Sequence, residues 1–292
     1  MSLAELAAFF PPGLAGMIVE EQNRLTELRL RAGRPMQLVC AEEDRFVGDP
    51  IPPQQLRRIA LALMEHSYYA REEELSQGFF TMRNGFRVGV CGSFSRRDGG
   101  AGSIRAIGSL CIRIARAVPG CAKEVLEAVC GDGVLRSALI LSSPGLGKTT
   151  ILRDAARLLS ESGYTVGIAD ERHELAACRD GVPTLDVGPR TDVVDGCPKA
   201  QGMEQLIRSM APDVIVTDEI GNALDATAVR EAARRGVALL TSAHASGIET
   251  FAASGLGRLV RDGLFSRIVL LKGRPGQIER IVNWEEERGT CG

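Results

Sequence analysis

The stretch Ser137-Ala-Leu-Ile-Leu-Ser-Ser-Pro-Gly-Leu-Gly-Lys-Thr-Thr150 decides the fold. It reads as a short apolar strand, a Pro/Gly loop and a helix opened by Lys148-Thr149. A Gly-rich loop of this kind turns backbone N–H groups toward a phosphate, and the following helix N-terminus adds positive potential. The expected cradle is Ser142, Ser143, Pro144, Gly145, Leu146, Gly147, Lys148, Thr149 and Thr150. In it the Lys148 ammonium would reach the β and γ oxygens of ATP, and the Thr149 hydroxyl would ligate Mg²⁺. The pattern G-x-x-x-x-G-K-[ST] asks for Gly at position 142, where this chain has Ser. A residue that ends a strand has no need of positive φ, so Ser142 is compatible with the loop.

A second signal is Ala211-Pro-Asp-Val-Ile-Val-Thr-Asp-Glu-Ile-Gly221, an apolar strand that ends in two carboxylates. Ligands of open parallel sheets bind outside the carboxyl ends of the strands, which sets this pair facing the phosphate loop. Asp218 is then the expected Mg²⁺ partner, through the metal's water shell, and Glu219 the base for an attacking water. An acidic helix N-cap is the plainer reading of the same two residues, and the loop upstream argues against it. The 70 residues from Lys148 to Asp218 leave room for at least one further strand.

At 292 residues, with 45% apolar and 25% charged residues, the chain suits a globular protein of two domains. A net charge of −2 makes no global case for nucleic acid or an anionic membrane. No apolar run reaches the length of a membrane span, and Glu5 stands where a signal peptide carries positive charge, which points to the cytoplasm. The eight cysteines are scattered without a Cys-x-x-Cys pair, as expected of reduced thiols rather than a metal knuckle.

From Ser137 onward strands and helices alternate as in a parallel α/β sheet. Strands are expected at residues 138–142, 164–169, 214–217 and 237–242, and helices at 149–161, 201–210 and 222–234. A terminal hairpin is expected from 267–272 and 277–282. Residues 1–120 read instead as a smaller α+β domain, with strands at 28–31, 36–40, 78–81 and 86–91 and a helix at 54–66. Asn84-Gly85 is its strongest turn signal. The second domain is set at 121–292, entered through a helix at 122–129.

Three further groups carry candidate chemistry. The strand at 164–169 runs into Asp170-Glu-Arg-His-Glu174, which resembles a catalytic edge but is also what a solvated loop looks like. His244 leaves another strand at the same sheet mouth, where it could sense a γ-phosphate or serve only as a structural histidine. Seven arginines and a single acid, Asp98, lie between Phe79 and Val118. Arg87, Arg113 and Arg116 could serve a neighbouring subunit's ATP, the strip could bind nucleic acid, or it could be a solvated strand face. Its few aromatics speak against nucleic acid.

Taken together, the runs 85–92, 109–116, 142–150, 169–172, 188–199, 207–213 and 241–244 resemble the stage III sporulation protein AA family over residues 25–285. The run Gly188-Pro-Arg-Thr-Asp-Val-Val-Asp-Gly-Cys-Pro-Lys199 discriminates best, because it contains no general ATPase motif. That family also carries Ser at the first position of the phosphate loop. It is similar to the ATPases of type II and type IV secretion and of pilus machines. The resemblance implies an α/β P-loop NTPase fold of the RecA-like, secretion-ATPase kind, with a parallel sheet covered by helices on both faces. It further implies Mg²⁺-dependent ATP hydrolysis in a homo-oligomer, a hexameric ring, with Glu171 in an acidic box, His244 in a histidine box and Arg87, Arg113 and Arg116 acting on nucleotide. The implied place is the mother-cell side of the channel joining mother cell and forespore, with membrane proteins of that assembly as partners. A nucleotide-gated adaptor and a DNA-stimulated motor are the rival expectations.

Overall fold

The computed structural model describes residues 3–21, 24–40, 43–64, 75, 78–82, 86–97, 100–114, 118–178 and 180–290. The chain divides into two compact units, Met1–Ala115 and Arg116–Gly292. Among the described residues no helix is long and apolar enough to cross a membrane.

The first unit contains α1 (Leu3–Ala7), α2 (Pro12–Glu20), β1 (Leu25–Arg31), β2 (Met36–Cys40), β3 (Arg45–Val47), α3 (Pro53–Leu63), β4 (Phe79–Thr81), β5 (Arg87–Arg97) and β6 (Gly100–Arg113). Its six strands form an antiparallel sheet in the order β3-β2-β1-β6-β5-β4. Period-2 alternation explains why one face is dry. Leu28 and Leu30 of β1 are fully buried with Leu38, Val88 and Ile112, and Ile18, Leu56 and Phe80 fill the same core. Glu27 and Arg29 fall on the other face. Pro at the start of α2 and of α3 suits a first helical turn, whose N–H groups have no intrahelical acceptor. The expectations from sequence do not include α1, α2, β3 or β6, and they end β5 six residues early. The Asn84-Gly85 turn lies outside the described residues; the strands flanking it pair antiparallel, with Thr81 opposite Arg87.

The second unit contains α4 (Lys123–Cys130), β7 (Ala138–Ser142), α5 (Lys148–Glu161), β8 (Val166–Asp170), β9 (Thr191–Asp195), α6 (Lys199–Ser209) and β10 (Val214–Glu219). These are followed by α7 (Ala223–Arg234), β11 (Ala238–His244), α8 (Ile248–Ala252), α9 (Arg258–Arg261), β12 (Arg267–Leu271), β13 (Ile278–Asn283) and α10 (Trp284–Thr290). Seven strands form one sheet in the order β13-β12-β7-β11-β10-β8-β9. All neighbours pair parallel except the β12–β13 hairpin at the edge. Successive residues of β7 divide between two cores. Ala138 and Ile140 pack with Ile151, Leu152 and Leu159 of α5, while Leu139 and Leu141 pack with Met203, Val229 and Leu259 from α6, α7 and α9. A strand buried on both sides must be apolar throughout, which is why residues 138–141 lack the alternation seen in β1.

Helix α7 starts with a capping box: the Asn222 side chain accepts from the Leu224 and Asp225 amides, and the Asp225 carboxylate accepts from Gly221 and Asn222. This fixes the chain immediately beyond Glu219. The edge strand β9 was absent from the sequence reading. In Thr-Asp-Val-Val-Asp two strand-disfavouring aspartates interrupt the strand-favouring Thr and Val, and the run pairs on one side only, with β8.

Candidate nucleotide site at the sheet mouth

The phosphate loop joins β7 to α5. Gly145 and Gly147 adopt φ of 79° and 86°, the left-handed region that only glycine enters without strain. The loop is braced from the hairpin turn, where the Gly276 amide donates to the Leu146 carbonyl at 2.9 Å. Ser142 has an ordinary backbone and is buried; its hydroxyl donates to the Ser143 carbonyl at 2.8 Å. Lys148 is the first residue of α5, where a cation opposes the helix dipole. Burial pushes its ammonium below the usual lysine range, with Glu219 pulling the other way.

Strand order sets what faces that lysine. Strand β11 lies between β7 and β10, and its register places His244 beside Ser142 and Ser242 beside Glu219. His244 therefore stands between the loop and the acidic pair. Its Nδ1 is 2.8 Å from Lys148 Nζ, and its Nε2 is 2.7 Å from Glu219 Oε2. An ammonium only donates, so Nδ1 accepts from Lys148 and Nε2–H donates to Glu219. The histidine, read from sequence as either a sensor or a structural residue, is thus the bridge between lysine and carboxylate.

Asp218 is 4% exposed at the end of β10. Lys199 Nζ lies 2.8 Å from its Oδ1, an ion pair without hydrogen-bond alignment, so neither carboxylate oxygen has a hydrogen-bond partner among the described residues. Burial pushes this carboxyl above the usual range, and Lys199 pulls it back down. A buried carboxylate without hydrogen-bond partners is the donor that a hydrated Mg²⁺ requires, and Mg²⁺ is commonly held by one or two such groups plus substrate phosphates. The residues present fit the metal: Asp218 supplies a buried carboxylate, and Thr149, in the first turn of α5, is the further protein oxygen that would serve it.

The acidic loop after β8 divides its labour. The Asp170 carboxylate accepts from the amides of Glu174, Leu175, Ala176 and Ala177 at 2.8–3.3 Å, so it organises its own loop rather than facing a ligand. The buried Arg153 guanidinium holds the carbonyls of Glu174 and Leu175 from α5. His173 and Ala177 sit at positive φ in this loop, and His173 Nδ1 is 2.8 Å from Asp195 of β9. Glu171 is left half exposed, with Oε2 3.7 Å from Lys199 Nζ.

Lys199 was missed by the sequence reading. The available signal was a Lys directly after Pro198 at the start of a helix, where positive charge is unfavourable unless carboxylates face it.

In the first unit, register lines up Glu27, Arg113 and Arg87 across β1, β6 and β5 on the outward face of the sheet. Arg113 is 3.7 Å from Glu27, and the Arg87 guanidinium stacks 3.9 Å over the Phe79 ring. Arg113 thus stands between a carboxylate on β1 and a second arginine on β5. Arg116 lies outside the described residues.

A glycine loop between a central parallel strand and a helix, with an acidic strand end one strand away, defines a P-loop NTPase domain. Comparison with solved structures agrees. The fold matches the ATPase DotB of Legionella pneumophila with a TM-score of 0.61 at 17% identity, covering 92% of this chain and 76% of that one. It matches the pilus retraction motor PilT, solved with bound ADP, with a TM-score of 0.61 at 16% identity, covering 92% and 78%. The fold is therefore that of the secretion ATPases. The chain belongs to the family described as "Sporulation stage III, protein AA", whose profile matches residues 14–290. It is 37% identical to stage III sporulation protein AA of Bacillus subtilis (strain 168), over 96% of this chain and 94% of that protein.

Proposed function

We propose that the chain is an ATP-hydrolysing motor of the secretion-ATPase type, working as a homo-oligomeric ring, with six subunits the expected number. The observation that carries this reading is the line Lys148–His244–Glu219, flanked by the buried Asp218 carboxylate in its ion pair with Lys199, at the carboxyl ends of β7, β11 and β10. Loop residues 142–150 would hold the phosphates, with Lys148 exchanging His244 for phosphate oxygens. Asp218 and Thr149 would hold Mg²⁺, which neutralises charge on the phosphates when bound. Glu219, released from His244 as Lys148 moves, takes a proton from water. The water oxygen bonds to the γ-phosphorus as the bridging P–O bond breaks, leaving ADP and phosphate. Glu171 supports the acidic side of the site. Arg87, Arg113 and Arg116 would stabilise the transferring group from a neighbouring subunit, where Arg's fork suits phosphate.

Membership of a sporulation family supports a role in that process, in which the motor would act from the mother-cell cytoplasm on membrane proteins of the channel to the forespore. The near-neutral charge and the scarcity of aromatics in the arginine strip favour protein partners over nucleic acid.

The test is ATP turnover measured against protein concentration, with mass followed by light scattering, with and without MgATP. Specific activity should rise as the ring forms. Glu219→Gln should lower turnover by roughly 10²–10⁴-fold while nucleotide still binds, and Lys148→Ala should lose binding as well. Full turnover in either variant would overturn the assignment.

A further inference from the structure

The run Gly188–Lys199 sets this family apart, yet none of the chemistry above uses it. The structure shows what it builds. Thr191–Asp195 forms β9 along β8, Cys197-Pro198 turns the chain, and α6 begins at Lys199, whose side chain reaches inward until only 4% of the residue is exposed. Its ammonium is 2.8 Å from Asp218 Oδ1 and 3.7 Å from Glu171 Oε2, and it donates to the Glu219 backbone carbonyl. Burying an ammonium is costly, and the positive end of a helix makes it more so. The compensating oxygens come from three residues, all in the acidic half of the site. The Glu219 carbonyl also lies where the β10–β11 register shifts between Val216 and Glu219, so the ammonium grips the chain where the ladder is irregular.

We propose that Lys199 is a positioning residue for the divalent cation: it fixes the Asp218 carboxylate through Oδ1 and the Asp218–Glu219 backbone through the carbonyl. Oδ2 is thereby held ready for a metal's water shell. The β9–α6 segment exists to deliver this charge, tying Glu171, Asp218 and Glu219 into one unit. The inference rests on the ATPase reading above.

The experiment is equilibrium binding of a fluorescent ADP analogue to the full chain, in Mg²⁺ and in EDTA, for wild type, Lys199→Met and Lys199→Arg. Wild type should bind more tightly with Mg²⁺. Lys199→Met should keep its EDTA affinity within about twofold, because the phosphate loop is untouched. Its gain from Mg²⁺ should fall by about tenfold or more, the scale of losing a group that orients a metal ligand. Lys199→Arg should restore part of that gain. Equal weakening in both buffers would mark Lys199 as merely structural and overturn the proposal, as would an unchanged or larger Mg²⁺ gain. A wild type with no Mg²⁺ gain would overturn the ATPase reading itself. If circular dichroism shows Lys199→Met unfolded, Lys199→Gln is compared with Lys199→Arg: the neutral residue should lose the gain and the charged one keep it.

Discussion

Gly147→Ala should destabilise the second unit far more than Gly145→Ala, although both residues occupy the same region of φ/ψ space in the same loop. Each has positive φ, so each alanine stores about 1–2 kcal/mol of backbone strain. At Gly145 the added methyl meets nothing within 4 Å, and strain is the whole cost. At Gly147 it would lie 2.9 Å from the Gly276 amide nitrogen and 3.4 Å from its Cα, both backbone atoms that cannot rotate aside. The hairpin turn must then move, which adds about 1–3 kcal/mol of overpacking and includes the Gly276–Leu146 hydrogen bond. Totals of about 1–2 and 2–5 kcal/mol follow. The chain's single tryptophan, Trp284, lies in the second unit with its indole N–H on the Val260 carbonyl at 2.9 Å, so its fluorescence reports that unit alone. In urea, with slopes of roughly 1–3 kcal/mol/M, the extra 1–3 kcal/mol or so should separate the two variants by about 0.3–3 M in midpoint. Coincident midpoints would refute the claim that the β12–β13 turn braces the phosphate loop, and with it the assignment of Gly147 to steric need in addition to backbone freedom.

Asp154 on α5 accepts from the Ala122 amide at 2.9 Å and pairs with Arg157 at 2.6 Å. Burial alone would raise its carboxyl, but the Ala122 amide and then Arg157 outweigh burial and hold it below the usual range. A depressed folded value means the stabilisation is complete above about pH 4, the unfolded carboxylate range, and fades as pH falls through the folded value. Asp154→Asn should therefore cost about 1–3 kcal/mol at pH 7, a cost that shrinks below pH 4 in urea titrations; a pH-independent cost would contradict this. Cys178 is buried, which pushes its thiol up to about 12, whereas Cys91 is exposed. Disulfide-exchange labelling at pH 8 followed by mass spectrometry should modify Cys91 within minutes and Cys178 only on unfolding, and early modification of Cys178 would contradict its placement.

What the sequence by itself determined was local. The strand–loop–helix at 138–161 and the acidic end of β10 are each written in a few consecutive residues, because apolar runs and glycines act on their own neighbours. Family membership was legible too, since it rests on such runs. Only the tertiary structure decided the rest. Parallel pairing of β7 with β11 and of β11 with β10 put His244 between Lys148 and Glu219, residues 71 apart in sequence, where the sequence set His244 at the sheet mouth as a sensor or a structural residue without naming its partners. Asp170 and Glu171 are adjacent in sequence, yet one bonds four backbone amides of its own loop and the other faces Lys199. Strand β9 and the burial of Lys199 depend on β8 offering an edge and on three distant oxygens compensating one charge. Strand order, register and burial are properties of non-local pairs, and local composition does not encode which distant partner a strand end or an ammonium will meet.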